Sequence, residues 1–90
     1  MASKKRDKLE IIRDMLLIVN REKGVGPTRL LHYSNLSPKM FKEYVSLLAK
    51  KNMIEISYKN KKKIFVMSNN GFAFLSEYKT IENIIANFGL

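Results

Sequence analysis

The chain has 90 residues, 46% of them hydrophobic, with no cysteine and 17 Lys/Arg against 8 Asp/Glu, a formal net charge of +9. That length supports one domain around one core, and the absence of cysteine removes disulfide frameworks and thiolate metal sites. Apolar runs fall far short of a membrane span, and the basic N-terminus lacks a signal-peptide core, so no export and a cytoplasmic location are expected.

Charge is unevenly spread. Up to Ser68 there are 16 Lys/Arg against 6 Asp/Glu, a net of +10; from Asn69 onward 1 Lys faces 2 Glu, a net of −1. Such asymmetry points to a polyanion partner for the first part and another job for the second. An anionic membrane would require a basic helix face opposite bulky exposed apolars, and none is evident.

Met1 to Lys8 reads as a polar arm, with Lys4, Lys5 and Arg6 as candidate phosphate contacts. A first helix is expected from about Lys5 or Asp7 to Glu22, stopping before Gly24. Leu9, Ile12, Leu16 and Val19 form one apolar stripe along it. Ile11, Met15 and Ile18 form a second at i, i+4, i+7 spacing. A helix this apolar needs cover from two directions: the domain core on one side and the C-terminal helix, of this chain or a partner, on the other.

Gly24-Val25-Gly26-Pro27 is a turn, and Pro27 opens a short second helix through about Tyr33. Arg29 lies on it as a further candidate phosphate contact, and Leu30 and Leu31 are directed to the core. Asn35 turns the chain. Ser37 is a good N-cap and Pro38 a good first helical residue, so a third helix starts there. At 100° per residue Met40, Tyr44, Leu47 and Leu48 share its apolar side, with Phe41 at the edge. Pro38, Lys39, Lys42, Ser46 and Ala49 share the other, with Glu43 at the border. An amphipathic helix with a cationic face can lie in a DNA major groove; the plain alternative is a solvated face.

Beyond Asn52 the apolar period changes from 3.6 to 2. Ile54, Ile56 and Tyr58 alternate with polar residues, and Ile64 to Met67 follow a turn. Between them lies Lys59-Asn60-Lys61-Lys62-Lys63, the lysine-rich tip of a β-hairpin. Lys59, Lys61, Lys62 and Lys63 repel one another and contribute nothing to folding, so they read as a grip on phosphates. Ser68 caps a last helix over about Asn69 to Phe88. Phe74, Tyr78, Ile81, Ile85 and Phe88 are spaced 4, 3, 4, 3, as in a coiled-coil seam, with Gly71 permitting close approach. They read as a dimerisation face, supplemented by Ile11, Met15 and Ile18.

Enzyme chemistry has no foothold here. His32 is the single histidine and has no companion for a metal set. Glu10 and Asp14 lie beside Arg13 and Arg21 as solvated charges. No cofactor is expected.

The order of elements, with Lys8-Leu9-Glu10-Ile11-Ile12, Asn35-Leu36-Ser37, Tyr44 with Leu47-Leu48, and Ser68-Asn69-Asn70-Gly71, resembles the archaeal ten-kilodalton winged-helix chromatin proteins and related small archaeal regulators. The resemblance implies an α+β winged helix-turn-helix, three helices and a β-hairpin wing, followed by a C-terminal dimerisation helix. It also implies a homodimer with antiparallel pairing of the terminal helices and two DNA-binding domains. The division is then 1–68 for the winged helix with its basic arm and 69–90 for the dimerisation helix. The expected function is double-stranded DNA binding, as a transcriptional regulator or a nucleoid-associated architectural protein. The alternative is a protein–protein module for an acidic partner.

Overall fold

The computed structural model describes residues 6–90; Lys4 and Lys5, expected on the arm, lie outside the described residues. Among these are four helices and one hairpin: α1 Lys8–Glu22, α2 Pro27–Ser34, α3 Pro38–Lys50, β1 Ile54–Lys59, β2 Lys62–Met67 and α4 Asn69–Phe88.

Local chemistry sets the boundaries. α1 begins at Lys8 because Asp7 closes a capping box: its carboxylate accepts from the Glu10 amide at 2.8 Å, and the Asp7 amide donates to Glu10 Oε1 at 3.1 Å. Pro27 and Pro38 open α2 and α3, and Ser37 Oγ accepts from the Met40 amide at 3.2 Å. Asn35 ends α2 in the left-handed region at φ 56°, a conformation its short amide side chain tolerates.

The hairpin pairs Ile54 with Met67 through Lys59 with Lys62, leaving a two-residue turn of Asn60 and Lys61. Both have positive φ, 53° and 65°, as a type I′ turn requires. Val25 adds a single antiparallel bridge beside the two-stranded sheet, exchanging both backbone hydrogen bonds with Phe65 of β2 at 3.0 and 2.8 Å. β1 is left as the open edge.

The core joins Ile12, Leu16 and Val19 of α1 to Val25, Leu30, Leu48, Ile54 and Phe65. Ile11, Met15 and Ile18 belong to it as well, at 5%, 0% and 8% exposure. Their assignment to a dimer face is corrected: α2, β2 and α4 all pack on α1, so both of its apolar stripes are covered within one subunit.

α4 divides into two halves. In its first half Gly71 is buried, and Phe74 and Leu75 pack on the core. A Cβ on Gly71 would collide with the Met53 carbonyl oxygen, so the close approach that this glycine permits is within the chain. Ser68 occupies the N-cap without a side-chain bond. Instead Asn70 Nδ2 donates to the Lys51 carbonyl at 3.0 Å and ties α4 to the end of α3. In its second half Ile81, Ile84, Ile85 and Phe88 are 45–74% exposed. The radius of gyration is 14.0 Å, against about 12 Å for a compact chain of this length, and the extents are 48 × 32 × 21 Å.

Candidate nucleic-acid interface

The outward side of α3 follows from which side is buried. Leu48 is fully buried, and Phe41, Tyr44, Val45, Leu47 and Ala49 pack against the core. Ala49, placed on the outer side by periodicity, is thus turned inward, while Met40 is 40% exposed. Lys39, Lys42, Glu43, Ser46 and Lys50 are exposed and, at 100° per residue, fall on one outward face. Lys50 extends the cationic row that the sequence suggested. Glu43 is exposed at the border of that face.

The wing carries the remaining cluster. Lys59, Lys61, Lys62 and Lys63 are all exposed, and the register sorts them. Directly paired residues project to one face, so Lys59 and Lys62 share one side of the hairpin, while Lys63 shares the other with Tyr58 and Ile56. Lys63 leans back along the sheet, its Nζ 5.5 Å from the Phe65 ring centroid.

Between wing and helices lies a concavity of about 660 Å³ lined by Thr28, Arg29, Lys62, Lys63 and the Gly24–Pro27 turn. α2 opens into it with Gly26 at its N-cap and no side-chain cap, so the amides of its first turn have no partner within the helix. Thr28 also lines a neighbouring concavity with His32, Asn35, Leu36 and Pro38. A continuous rim therefore leads from the wing lysines past α2 to the start of α3. Arg29 stands on it, 64% exposed and 3.3 Å from Glu22.

Arg6 is not on this surface in a free state. Its Nη1 donates to Asp14 Oδ2 at 3.0 Å, and its Nη2 donates to the carbonyls of Ser34 at 2.7 Å and Asn35 at 3.4 Å. A guanidinium on the C-terminal carbonyls of α2 complements the negative end of that helix. The expectation of a phosphate contact is corrected: this side chain staples the start of α1 to the turn before α3.

Two members of the expected dimer seam are likewise engaged at home. Phe74 is packed on the core. Tyr78 lies under Arg13, whose guanidinium sits 5.0 Å from the ring centroid while also reaching Asp14 at 2.9 Å and Glu82 at 3.1 Å. Burial works against the Arg13 charge, but Asp14, with Tyr78 and Glu82, offsets it and keeps the guanidinium pKa above its ordinary value. The exposed large apolar residues of α4 are Phe72 in its first turn and Ile81, Ile84, Ile85 and Phe88 in its second half, with Leu90 beyond. On α1 the exposed apolar residues are Leu9, which periodicity placed in the first apolar stripe, and Leu17.

Among the described residues no group of three or more His, Cys, Asp or Glu is placed to hold a metal ion, and no helix is long and apolar enough to cross a membrane. His32 is exposed on α2 beside Tyr33, ring centroids 5.7 Å apart.

A family profile described as winged helix-turn-helix matches residues 5–86. Among solved structures the chain is similar to Sso10a-2, a DNA-binding protein from Sulfolobus solfataricus, with a TM-score of 0.73 and 24% identity over 92% of this chain and 85% of that one. It is also similar to F-93 of SSV1, with a TM-score of 0.63 and 15% identity over 94% and 97%. A predicted DNA-binding transcriptional regulator from E. coli aligns with a TM-score of 0.60 and 13% identity over 83% and 75%. No curated protein matches the sequence. At these identities the likeness is one of fold.

Proposed function

The chain belongs to the winged helix-turn-helix family, and on that premise we propose that it binds double-stranded DNA as a homodimer, mainly through phosphates. The observation that carries this is the set of exposed cations on two adjoining elements. Lys39, Lys42 and Lys50 line the outward face of α3 with a single acid, Glu43, and Lys59, Lys61, Lys62 and Lys63 crown the wing. Like charges clustered this way oppose folding slightly and are explained by a polyanion.

In this reading α3 enters a major groove with Lys39, Lys42 and Ser46 toward the duplex. The wing lysines grip phosphates beyond it, and Arg29 with the first turn of α2 meets the backbone between. Lys4 and Lys5, outside the described residues, join on charge alone. Arg6 leaves the set, because its guanidinium is engaged by Asp14 and the Ser34 carbonyl inside the subunit. α3 contains no Arg, Asn or Gln, the side chains that read base edges bidentately, so affinity comes from phosphates more than from sequence. That suits a nucleoid-associated architectural protein or a broadly acting regulator. The structural neighbours described as DNA-binding support the partner class.

Homodimerisation is proposed through the free half of α4. Ile81, Ile84, Ile85 and Phe88 form a contiguous apolar stripe exposed in one subunit, and a matching helix from a second copy is the occupant that their spacing suits.

The test is a mobility-shift titration with random-sequence duplex across salt, beside sedimentation of free protein. With roughly 4 to 6 phosphates neutralised per protomer, log affinity falls against log salt with a slope of about −4 to −5 per protomer. A slope near zero excludes the phosphate mechanism, and a monomer in sedimentation removes the dimer. Lys42→Glu combined with Lys61→Glu abolishes the shift; unchanged DNA affinity would redirect the reading to an acidic protein partner.

A further inference from the structure

His32 is the single histidine of the chain, and the fold sets it where the two basic elements meet. It lies one turn beyond Thr28 on α2, so the two side chains share a face, and both are exposed. Thr28 lines the concavity that also holds Arg29, Lys62 and Lys63. The same Thr28 lines the next concavity, of about 340 Å³, with His32, Asn35, Leu36 and Pro38. Pro38 is the first residue of α3, and the exposed Lys39 follows it. The imidazole therefore stands on the rim that joins the wing lysines to the start of the cationic face of α3.

α2 packs on α1, β2 and α3, and the acids those elements bring are already engaged. On α1, Glu22 is shared by Arg21 at 3.1 Å and Arg29 at 3.3 Å, and Asp14 by Arg13 at 2.9 Å and Arg6 at 3.0 Å. Arg21 also lies over the neighbouring Tyr33, 4.9 Å from its ring centroid. On α3, Glu43 lines a separate concavity with Lys8 and Tyr44. The only charges of β2 are Lys62 and Lys63. No carboxylate lines the His32 concavity, so the anion that suits a charged imidazole there is one that a ligand brings.

Resting on the DNA-binding reading above, we propose that His32 is a proton-linked phosphate contact: it grips the DNA backbone as imidazolium, so binding takes up a proton and tightens as pH falls. Imidazole is the side chain that changes charge between pH 5 and 8, a window in which lysine, arginine and phosphodiesters keep theirs. The charged ring offers a second N–H donor, and an ionised donor makes the stronger bond to phosphate. The sign follows directly: the contact is present where the ring is charged and is lost as pH rises. Because it neutralises a phosphate, it also adds to counterion release.

The experiment is a fluorescence-anisotropy titration of a random-sequence duplex at pH 5.5 and at pH 7.5, each across salt. At fixed salt the wild-type chain is expected to bind about fivefold tighter per protomer at pH 5.5, with a log–log salt slope steeper by about one. His32→Gln removes both differences and keeps the pH 7.5 slope. His32→Arg also removes the pH dependence but holds the steeper slope at both values. Thermal melting of each variant at both pH values confirms its fold. DNA binding with equal affinity and slope at the two pH values overturns this inference alone. So does a pH dependence that survives in His32→Gln, which assigns it to the terminal amine. An affinity that rises in acid at constant slope overturns it as well, because no phosphate contact is then gained. A wild-type chain that binds the duplex at neither pH in low salt overturns the DNA reading itself.

Discussion

Arg13 lies over Tyr78, its guanidinium 5.0 Å from the ring centroid, and the same group spans to Glu82 at 3.1 Å. This one side chain holds the middle of α4 against α1 and divides the last helix into a docked half and a free one. It is also the second link of a chain of charges. Glu82 meets Arg13, Arg13 meets Asp14, Asp14 meets Arg6, and Arg6 holds the Ser34 carbonyl before α3. Replacing it, Arg13→Ala, removes a ring contact and two ion pairs that are about three-quarters buried on the Arg side, where exposed pairs are worth ~0–1 kcal/mol and a cation over a ring ~0.5–1 kcal/mol. A loss of about 1–2 kcal/mol is expected by chemical denaturation. An unchanged midpoint would mean α4 is held by Phe74 and Leu75 alone.

Arg6→Ala separates a structural role from a phosphate contact. The variant loses the donors to Ser34 and Asn35, so stability falls by about 1 kcal/mol. The salt slope for DNA stays at the wild-type value. A slope reduced by one unit, with stability intact, would return Arg6 to the binding surface.

Gly71→Ala reverses the usual gain of alanine over glycine within a helix. The added methyl meets the Met53 carbonyl, which cannot shift freely because it accepts from the Ser68 amide at 3.1 Å. Overpacking dominates, and a net loss of about 2 kcal/mol is expected, read as a lower denaturant midpoint at constant m-value.

Lys61 holds a left-handed conformation, φ 65°, which costs a non-glycine residue about 1–2 kcal/mol. Glycine relieves that cost and adds about 0.5–1 kcal/mol of chain entropy. Lys61→Gly is therefore expected to stabilise the fold by several tenths of a kcal/mol while weakening DNA binding and lowering the salt slope by about one. Opposite signs for stability and affinity in one variant would mark a residue kept for its charge. A variant that weakens both places Lys61 in the folding account only.

Ile85→Asp combined with Phe88→Asp places two charges in the exposed stripe of α4. Sedimentation is expected to give a monomer with a melting temperature, extrapolated to low concentration, equal to that of the wild type, since neither residue is part of the core. A dimer that survives would locate self-association elsewhere on the chain.

Much of the architecture was legible without coordinates because it is set by neighbours in the chain. Ser37-Pro38 and Pro27 fix helix starts through backbone chemistry that acts over three or four residues. Asn35 and Asn60 sit at positive φ where helix and hairpin must turn, and a change of apolar period marks β1. The winged helix-turn-helix order and the surplus of cations before Ser68 are likewise properties of the string.

Tertiary structure alone decided which side of each element is used. α1 is apolar nearly all round, so its periodicity names two stripes but not what covers them; packing by α2, β2 and α4 gave both to the core. The same docking took Phe74 and Tyr78 from the α4 stripe and left Ile81, Ile84, Ile85 and Phe88. Arg6 and Lys63 are equally cationic as letters. One became a staple because the Ser34 and Asn35 carbonyls closing α2 lack helical partners, while the other stayed in solvent because the hairpin outruns the core. A charge is free or spent according to what folds up beside it, and that depends on contacts between residues far apart in the chain.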